Sequence, residues 1–589
     1  MEKRQEKWLE IRKGGDFAGI AKQFGIDPVI ARILRNRDIV EPEEVERYLK
    51  GGRGDLHDPH LLKDAVAAAG ILAEKIRQGS RIRIIGDYDI DGVSATYILL
   101  EGLTRCGAQV DAAIPDRMKD GYGINENLIA LAAEAGVDTI ITCDNGIAAI
   151  DAIHVAKEAG MTVIVTDHHD IPYRMEGQAR EYLSSEADAV INPKQNDCPY
   201  PYKELCGAAV AWKFLQVLYE KMGIPAEEAD VFLENVGFAT VGDVMDLTGE
   251  NRILVKLGLA ALQHTGNPGM RALIAQNQLM GKRISAYHIG FVLGPCINAS
   301  GRLDTARRSL ELLREKDSVR AAALAGELIE LNNSRKDMTF RELERALEKV
   351  ENGGCGDKVL VVYLPECHES LAGIIAGRIR EQYYRPVFVL TMGEEGVKGS
   401  GRSIEEYSMF DEMTKVSELF TKYGGHPMAA GLSMPEEHVE PFRRRLNELA
   451  ALTQEDLAEK IHIDVALPLS YLTPEFIGQL RLLEPCGKGN VKPVFADKGL
   501  AITRAFLTGK NRNVLRLMLR GADGVMTDGV YFGKTEEFLQ YFRERFGEGE
   551  VEAALEGREN AIRFAAIYEP TINDYNGRNT VQVIIRKYC

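Results

Sequence analysis

One stretch, RIRIIGDYDIDG at residues 81–92, constrains the fold of this chain more than any other. Its first five residues alternate isoleucine with arginine, which is typical of a β-strand entering a sheet. Gly86 ends the strand, and Asp87, Asp89 and Asp91 follow at every second position. If the segment stays extended, the three carboxylates point to one side, because side chains alternate faces along a strand. Such close like charges repel unless a cation lies between them, and carboxylate oxygens favour Mg²⁺, Mn²⁺ or Ca²⁺.

Two other interpretations of this stretch are open. An EF-hand loop also begins D-x-D-x-D-G, but it needs a helix before the loop and a glutamate at its twelfth position. This chain has a predicted strand before the loop and Ile98 at the twelfth position. A solvated acidic turn is the second interpretation. Three aspartates at the end of an apolar strand favour a ligand site over either of these.

Predicted strands and helices alternate along the following residues. This alternation predicts an α/β fold with a parallel sheet and helices on both faces. Catalytic groups in such sheets lie at the carboxyl ends of the strands. The predicted helices cover residues 65–76 and 94–103, and the further predicted strands cover residues 110–114, 139–143, 163–166 and 189–191.

Two of these strands end in polar residues. The strand at 139–143 runs into Asp144-Asn145-Gly146, and the strand at 163–166 runs into Asp167-His168-His169. Because the carboxyl ends of parallel strands meet at one edge, we expect Asp144 and His168 to share a site with the first three aspartates. A mixture of carboxylate and imidazole suits Mn²⁺, with Mg²⁺ as the alternative. Asp243, in a helical stretch over residues 206–245, is either a buried helix cap or a further ligand.

Composition excludes some classes of protein. The chain has 589 residues, which is enough for about three domains, each with its own core. No run of eighteen apolar residues is present, and the first residues lack the apolar segment of a signal peptide. The nine cysteines form no C-x-x-C pair, so we expect reduced thiols and a cytoplasmic protein with no membrane association. The net charge of −16 does not indicate nucleic-acid binding, although a local basic groove would suffice for it.

The second half of the chain is organised differently. A long helical stretch over residues 306–350 ends at a glycine cluster, where we place a domain boundary. Residues 357–455 have a second α/β pattern. From about residue 460, short predicted strands at 461–467, 514–519, 551–555 and 581–585 suit a small barrel.

The motifs GDYDIDG, CDNG, TDHH and TVGDVMDL occur in this order, and together they resemble those of the DHH phosphoesterase superfamily. The segments HESLAGIIAGR, GSGRS and GGHPMAAG at residues 368–378, 399–403 and 424–431 are similar to those of the DHH-associated domain. The segment EPCGKGN at residues 484–490 resembles the one that leads into an OB-like domain in the single-strand-specific exonucleases of this superfamily. The resemblance covers nearly the whole chain. Members often have His where Ile85 stands and Trp where Cys367 stands, so any stacking by that tryptophan is lost here.

The resemblance implies five regions. They are an N-terminal helical extension at 1–60, a DHH catalytic domain at 61–305, a connecting helix at 306–352, a DHH-associated α/β domain at 353–458 and an OB-like nucleic-acid-binding β-barrel at 459–589.

The resemblance also implies a two-metal centre that uses Mn²⁺ or Mg²⁺. Asp87, Asp89 and Asp144 would hold one ion, and Asp144 would be shared with the second. The ligands of the second ion would be Asp91, Asp144, His168 and Asp243, with His169 completing the catalytic group near the phosphate.

Substrate contacts are implied on both α/β domains. Glycines in the GGH segment let backbone N–H groups approach phosphate oxygens closely. The implied substrate-binding residues are Arg117, Tyr122, Arg302, His368, Ser400, Gly401, Arg402, Gly425 and His426. In the barrel, aromatic and basic side chains are candidates for binding a single strand, namely Lys488, Lys492, Arg516, Arg520, Tyr531 and Phe532.

The implied activity is hydrolysis of single-stranded DNA from 5′ to 3′, releasing nucleoside 5′-monophosphates for DNA repair and recombination. A single-strand-binding protein and a RecQ-type helicase are the expected partners. One alternative is a phosphodiesterase of short oligonucleotides or cyclic dinucleotides, which would normally lack the barrel. The other is a non-catalytic DNA-binding scaffold, although such relatives lose metal aspartates that this chain keeps.

Overall fold

A computed structural model of the chain describes residues 6–116, 123–176, 179–353, 356–394, 396–509, 512–573 and 579–589. The strands are β1 Glu6–Glu10, β2 Arg81–Ile85, β3 Gln109–Ala113, β4 Thr139–Cys143, β5 Thr162–Thr166, β6 Tyr173–Glu176, β7 Ala179–Tyr182, β8 Ala189–Ile191, β9 Leu360–Tyr363, β10 Val387–Gly393, β11 Gly396–Arg402, β12 Lys422–His426, β13 Ala429–Met434, β14 Glu459–Ile463, β15 Val465–Ala466, β16 Phe495–Thr508, β17 Val514–Arg520, β18 Met526–Tyr531, β19 Arg563–Asn573 and β20 Thr580–Tyr588.

The helices are α1 Phe17–Phe24, α2 Pro28–Asn36, α3 Pro42–Lys50, α4 Ala65–Arg77, α5 Ile90–Arg105, α6 Glu126–Glu134, α7 Ile150–Glu158, α8 Gly207–Lys221, α9 Leu233–Gly242, α10 Gly249–Gln263, α11 Pro268–Gln276, α12 Ala286–His288, α13 Gly294–Leu303, α14 Arg307–Arg314, α15 Ser318–Gly353, α16 Glu369–Tyr383, α17 Met409–Thr414, α18 Val439–Leu449, α19 Pro474–Leu480, α20 Thr535–Phe546 and α21 Glu548–Glu556.

Five of these strands form a parallel sheet in the order β3-β2-β4-β5-β8, which confirms the α/β fold predicted from the alternating pattern. The sheet is buried on both faces. In β4, Ile141 packs on one face with Ile84 and residues of α5 and α8, whereas its neighbour Ile140 packs on the other face with residues of α6 and α7. Burial on both faces explains why these strands are continuous apolar runs in the sequence. The layers hold the carboxyl ends of β2, β4 and β5 side by side.

The helical stretch predicted over residues 306–350 is two helices, α14 and α15, with a break at Glu315. The Glu315 carboxylate accepts hydrogen bonds from the backbone N–H groups of Lys316 and Asp317, at 2.8 Å each, and these bonds fix the turn between the two helices. A carboxylate that bonds to nearby backbone competes with helix continuation. Helix α15 then runs for 36 residues into the second α/β region.

The second α/β region has a five-stranded mixed sheet in the order β12-β13-β11-β10-β9. Strand β10 pairs in parallel with β9 and antiparallel with β11. Its residues alternate between two cores: Phe388 and Leu390 pack on one face, and Val387 and Val389 pack on the other with residues of α16.

Strands β16, β17, β18, β20 and β19 close into a barrel, because β16 pairs with both β17 and β19. This confirms the predicted OB-like architecture. One predicted strand is wrong: residues 551–555 belong to α21. Gly547 and Gly557, with φ of 94° and 71°, lie at the two ends of this helix, and Glu548 and Glu550 lie in its first turn. Glycine at the C-terminus and acidic residues at the N-terminus are helix signals that outweigh the apolar run.

The chain forms two compact units. The larger contains residues Gly52–Ala458 and Gly487–Gly489, and the smaller contains Glu6–Gly51, Glu459–Cys486 and Asn490–Cys589. The N-terminal helices α1–α3 and the barrel therefore lie in the same unit. The physical reason is a shared core: the buried side chains of Ile30 and Leu34 pack with residues such as Val465 and Leu469. Strand β1 also pairs in parallel with β14.

Among the described residues, no helix combines the length and the apolar character needed to cross a bilayer.

Candidate metal centre

The first motif turns into a helix directly after β2, so the expectation of an extended segment is wrong. Asp89 is the N-cap of α5, and its Oδ1 accepts hydrogen bonds from the N–H groups of Asp91 at 2.8 Å and Gly92 at 3.0 Å. These bonds satisfy two of the N–H groups that a helix start leaves open. Asp87 lies in the turn before the helix and Asp91 in its first turn. The three carboxylates consequently face different parts of the site rather than one side of a strand.

A neighbouring helix holds Asp91. Its two carboxylate oxygens accept hydrogen bonds from the N–H groups of Gly207 at 2.6 Å and Ala208 at 2.8 Å, at the N-terminus of α8. The positive end of the helix dipole stabilises the buried carboxylate. These two N–H donors were missed from the sequence, because nothing in Cys206-Gly207-Ala208 marks a functional role.

The second motif places Asp144 in the left-handed region, with φ of 60°. Aspartate tolerates this conformation better than most residues. Its N–H donates to the carbonyl of Thr166 at 3.0 Å, which joins the ends of β4 and β5. A Cβ added to Gly207 would lie 2.9 Å from the Asp144 Oδ1, so only glycine permits this close packing.

Asn145, which follows Asp144, connects three segments. Its Nδ2 donates to the carbonyls of Ile85 at 3.0 Å and Cys143 at 2.9 Å. Its Oδ1 accepts from the N–H of Ile124 at 3.1 Å. Another amide missed as a contributor, Asn298, accepts from the N–H of Ile90 at 2.8 Å. Both amides fix the backbone beside the aspartates.

His168 lies at the centre of the acidic group. Its Nε2 is 3.0 Å from the Asp144 Oδ1, 3.6 Å from the Asp91 Oδ2 and 3.8 Å from the Asp243 Oδ2. Asp243 is the C-cap of α9, so a helix end brings it to the strand ends. The structure thus brings together Asp243 and the residues of the first three motifs.

Three sets of side chains each offer one ligand atom per residue within 4.8 Å of one another. The first set is Asp87, Asp89 and Asp144; the second is Asp91, His168 and Asp243; the third is Asp144, His168 and His169. Asp144 and His168 each belong to two sets. The three candidate sets therefore overlap at Asp144 and His168.

Burial and mutual repulsion raise the pKa values of three carboxylates in this group. Burial, and then the charge of Asp91, raise the pKa of Asp144 well above its ordinary value and also raise that of Asp89. Burial and the same neighbour raise the pKa of Asp243 to about 8. Burial lowers the pKa of His168, which favours the neutral imidazole that binds metals. A divalent cation would relieve this repulsion, so the donor set fits a hard divalent metal ion.

Asp167 supports the histidines. Its Oδ2 accepts from the N–H of Ile147 at 2.8 Å, and its Oδ1 accepts from the N–H of His168 at 2.7 Å and lies 2.7 Å from the His169 Nδ1. Burial alone would lower the pKa of His169, but the hydrogen bond to Asp167 and its charge raise it to about 9. Asp167 thus orients the His169 imidazole and fixes the backbone of His168, and it is not itself in any of the three ligand sets.

The predicted substrate-binding residues lie on several elements. Arg302, on α13, donates from its Nη1 to the carbonyl of Ser370 at 2.8 Å. His368 caps α16, and its Nδ1 lies 2.8 Å from the Ser370 Oγ. Ser400, Gly401 and Arg402 lie on β11, and Gly425 and His426 lie on β12. Arg117 and Tyr122 fall outside the described residues.

Two contacts connect these elements to one another and to the acidic group. The Nδ1 of His426 lies 4.0 Å from the Oδ2 of Asp170, which directly follows His169. A Cβ on Gly373 would lie 2.8 Å from the Arg402 Nη2, so α16 packs closely against this arginine. The GGH strand and the TDHH turn are therefore neighbours.

The barrel candidates differ in what they contact. Lys488 pairs with Asp246 at 3.2 Å, and Lys492 pairs with Glu569 at 2.7 Å. Tyr531 packs against Phe538 at a centroid distance of 4.9 Å. Phe532 is 60% exposed. Arg516 and Arg520 are exposed on β17.

Three regions of the chain match the models of known families. The model of the DHH family N-terminal domain matches residues 81–234, that of the DHHA1 domain matches residues 356–452, and that of the RecJ OB domain matches residues 463–587. The parallel sheet, its acidic edge and the two further domains thus define a protein of the DHH class.

Individual proteins of this class are similar to the chain over most of its length. The single-stranded-DNA-specific exonuclease RecJ of Escherichia coli (strain K12) is 30% identical, with 95% of each chain covered. RecJ of Bacillus subtilis (strain 168) is 34% identical over 96% of this chain and 68% of that protein. The chain belongs to the RecJ family of single-stranded-DNA-specific exonucleases.

Solved structures agree with this membership. The crystal structure of RecJ from Thermus thermophilus in complex with Mn²⁺ superimposes with a TM-score of 0.81 at 28% identity, covering 99% of this chain and 79% of that one. The Mg²⁺ complex of the same protein gives a TM-score of 0.75 at 27% identity, with 99% and 78% covered.

Proposed function

We propose that this chain is a metal-dependent exonuclease that degrades single-stranded DNA from 5′ to 3′ and releases nucleoside 5′-monophosphates. The observation that carries the proposal is the group of overlapping ligand sets around Asp144 and His168, within a chain of the RecJ family. Polarity and product follow the family resemblance.

Two divalent cations, Mn²⁺ or Mg²⁺, would be held by the acidic group. Asp87, Asp89 and Asp144 would bind one, and the second would be bound by Asp91, Asp144, His168 and Asp243. When bound, such a pair of ions lowers the pKa of a water molecule and neutralises charge on the phosphate. The Mn²⁺ and Mg²⁺ complexes of the Thermus thermophilus relative support this choice of metal.

The other predicted residues would position the strand. His169, oriented by Asp167, would face the scissile phosphate. The guanidinium groups of Arg302 and Arg402 and the imidazole of His426 would contact phosphate oxygens, as would Arg117. His368, Ser400, Gly401, Gly425 and Tyr122 would line the remaining surface.

A labelling experiment tests the activity. A 5′-labelled single strand and the matched blunt duplex are incubated with Mn²⁺ or Mg²⁺, and the products are resolved by size. Release of labelled mononucleotide from the single strand first is expected. Equal digestion of the duplex would contradict the specificity for single strands. Faster turnover of a dinucleotide than of a long strand would contradict the proposal and favour an oligonucleotide phosphodiesterase.

Protein partners and location are part of the proposal. A single-strand-binding protein and a RecQ-type helicase in the cytoplasm would supply single-stranded ends. Stimulation of degradation on coated single strands, measured with and without each purified partner, checks this.

A further inference from the structure

The loop after α9 carries the predicted ligand Asp243 and holds an unfavourable backbone conformation. Val244, the next residue, has φ of 57° and is 62% exposed. A β-branched side chain is a genuine outlier in the left-handed region, so the backbone at Val244 is strained. Such strain persists only where the surrounding structure over-determines the backbone. The contacts of residues Met245–Gly249 must therefore hold the loop in place.

One side of this loop rests on its own domain. The Tyr202 hydroxyl donates to the carbonyl of Thr248 at 3.1 Å, and the Asn251 Nδ2 donates to the carbonyl of Asp246 at 3.1 Å. The Leu247 side chain is 1% exposed and packs with Val255.

The other side is covered by three residues that are distant in sequence. Gly487–Gly489 group with the larger unit, while the residues before and after them group with the smaller one. The Leu247 N–H donates to the carbonyl of Lys488 at 2.8 Å, and the Lys488 Nζ lies 3.2 Å from the Asp246 Oδ1.

Both flanking glycines lie against the loop. A Cβ on Gly487 would be 2.7 Å from the Leu247 Cδ1. Gly489 has φ of 70°, and a Cβ there would be 3.0 Å from the Asp246 Cβ and 3.2 Å from the Thr248 Cγ2. Side chains at these two positions would push the loop away, so the close packing depends on glycine.

We propose that Gly487, Lys488 and Gly489 form a latch that positions Asp243 for metal binding by clamping residues Asp246–Thr248. This inference rests on the metal site of the proposed function. The three latch residues are positioning residues, because their hydrogen bond, ion pair and packing contacts are made with the loop at Asp246–Thr248. If the latch is loosened, the strain at Val244 relaxes by moving the backbone next to Asp243, and the second ion loses a ligand.

The test compares two glycine variants that share one backbone cost. G489A and the control G499A both place alanine at a positive φ, 70° and 74°, but nothing lies within 4 Å of a Cβ on Gly499. Mn²⁺ affinity is measured on the full chain by the electron paramagnetic resonance of free Mn²⁺. We expect G489A to lower the Mn²⁺ affinity of the second-ion site, which contains Asp243, about tenfold, as is usual when groups that orient ligands are changed. G499A should match the wild type.

Two further readouts separate positioning from general damage. Amides of Met245–Gly249 in the metal-free protein should exchange hydrogen faster in G489A than in G499A, and kcat should fall while KM for a long single strand stays within about twofold. V244G in the G489A background should recover affinity, because glycine removes the strain. If G489A fails to fold, G487A, which adds no positive-φ cost, should show the same pattern.

Unchanged Mn²⁺ affinity in G489A and G487A, with faster exchange in the loop, would overturn the latch alone. Absence of Mn²⁺ binding in the wild type would overturn the metal site of the proposed function and the latch with it.

Discussion

The Nε2 of His168 lies 3.0 Å from the Oδ1 of Asp144, and both side chains are almost completely buried. These two residues come from the ends of adjacent strands, β4 and β5, and each belongs to two of the possible ligand sets. A buried carboxylate that already has carboxylate neighbours is unfavourable without a cation. We therefore expect the buried Asp144 carboxylate to lower the stability of the metal-free protein.

Replacement of Asp144 should abolish hydrolysis. In D144A both proposed ions lose the ligand that they share, and several kcal/mol of transition-state stabilisation disappear. We expect kcat to fall by at least about a thousandfold, which corresponds to roughly 4 kcal/mol. Turnover of a labelled single strand measures this.

D197N is the matched control for D144A, because Asp197 is an exposed aspartate that pairs with Lys63. It should keep wild-type turnover. A D144A rate within about tenfold of wild type would contradict the site assignment.

Divalent cations should stabilise the larger unit. Mn²⁺ at about a hundred times its dissociation constant adds about 2.7 kcal/mol to the unfolding free energy of the unit that binds it. Its melting transition should rise with Mn²⁺ and fall again with a chelator. D144N removes one of the repelling charges, so its metal-free form should melt higher than the metal-free wild type. A lower melting temperature of metal-free D144N would contradict the repulsion argument.

The barrel should lose local stability in acid through Glu569. Burial would raise its pKa, but Arg586 and Lys492 bond the carboxylate, at 2.7 Å from the Arg586 Nε and 2.7 Å from the Lys492 Nζ, and the net pKa lies below its ordinary 4.5. A depressed folded pKa contributes stability above the unfolded value and loses it as pH falls through the folded value. The contribution should therefore be complete above about pH 4.5 and be lost progressively as the pH falls from there through the lower pKa of the folded state.

E569Q removes this pH dependence. Because the two cations are about half exposed and become hydrated, the loss at neutral pH should be only about 1–2 kcal/mol. Hydrogen exchange of the β19 and β20 amides from neutral to acid pH measures the difference. A constant gap between wild type and E569Q across the whole range would refute the linkage.

A buried ion pair should make Glu250 important for folding. Its Oε1 lies 2.7 Å from the Lys213 Nζ, with both side chains 1% exposed, and its Oε2 accepts from the Tyr200 hydroxyl at 2.7 Å. E250Q leaves the ammonium without its counter-charge, which should cost about 3 kcal/mol of unfolding free energy. The double variant K213M/E250Q should recover part of that loss, because the buried charge is gone. Denaturant unfolding of the wild type and the two variants tests this, and an unchanged E250Q would contradict it.

The sequence predicted the parallel sheet well, because its strands are apolar on both faces and end in polar residues. It predicted the sharing of one edge by Asp144 and His168 for the same reason. It failed where a local hydrogen bond decides the backbone: Asp89 caps α5 and so turns the aspartates out of the strand. The same cause breaks the long helix at Glu315.

The pattern of apolar and polar residues in the sequence did not predict contacts between distant parts of the chain. The backbone N–H groups of Gly207 and Ala208 carry no signal in their side chains, yet they bond Asp91. The burial of Ile30 against Val465 depends on residues more than four hundred positions apart. Apolar periodicity shows that a helix has a buried face, but not which partner covers it.

The parallel pairing of β1 with β14 delays folding of the smaller unit while the chain is synthesised on the ribosome. Glu6 pairs with Glu459, so the first strand must wait for 453 further residues before its partner exists. At the usual elongation rates this delay is roughly 20–90 s. During that time the apolar faces of α1–α3 have no barrel to cover them, while the domain between can already fold. The smaller unit is consequently the last part of the molecule to acquire its native structure.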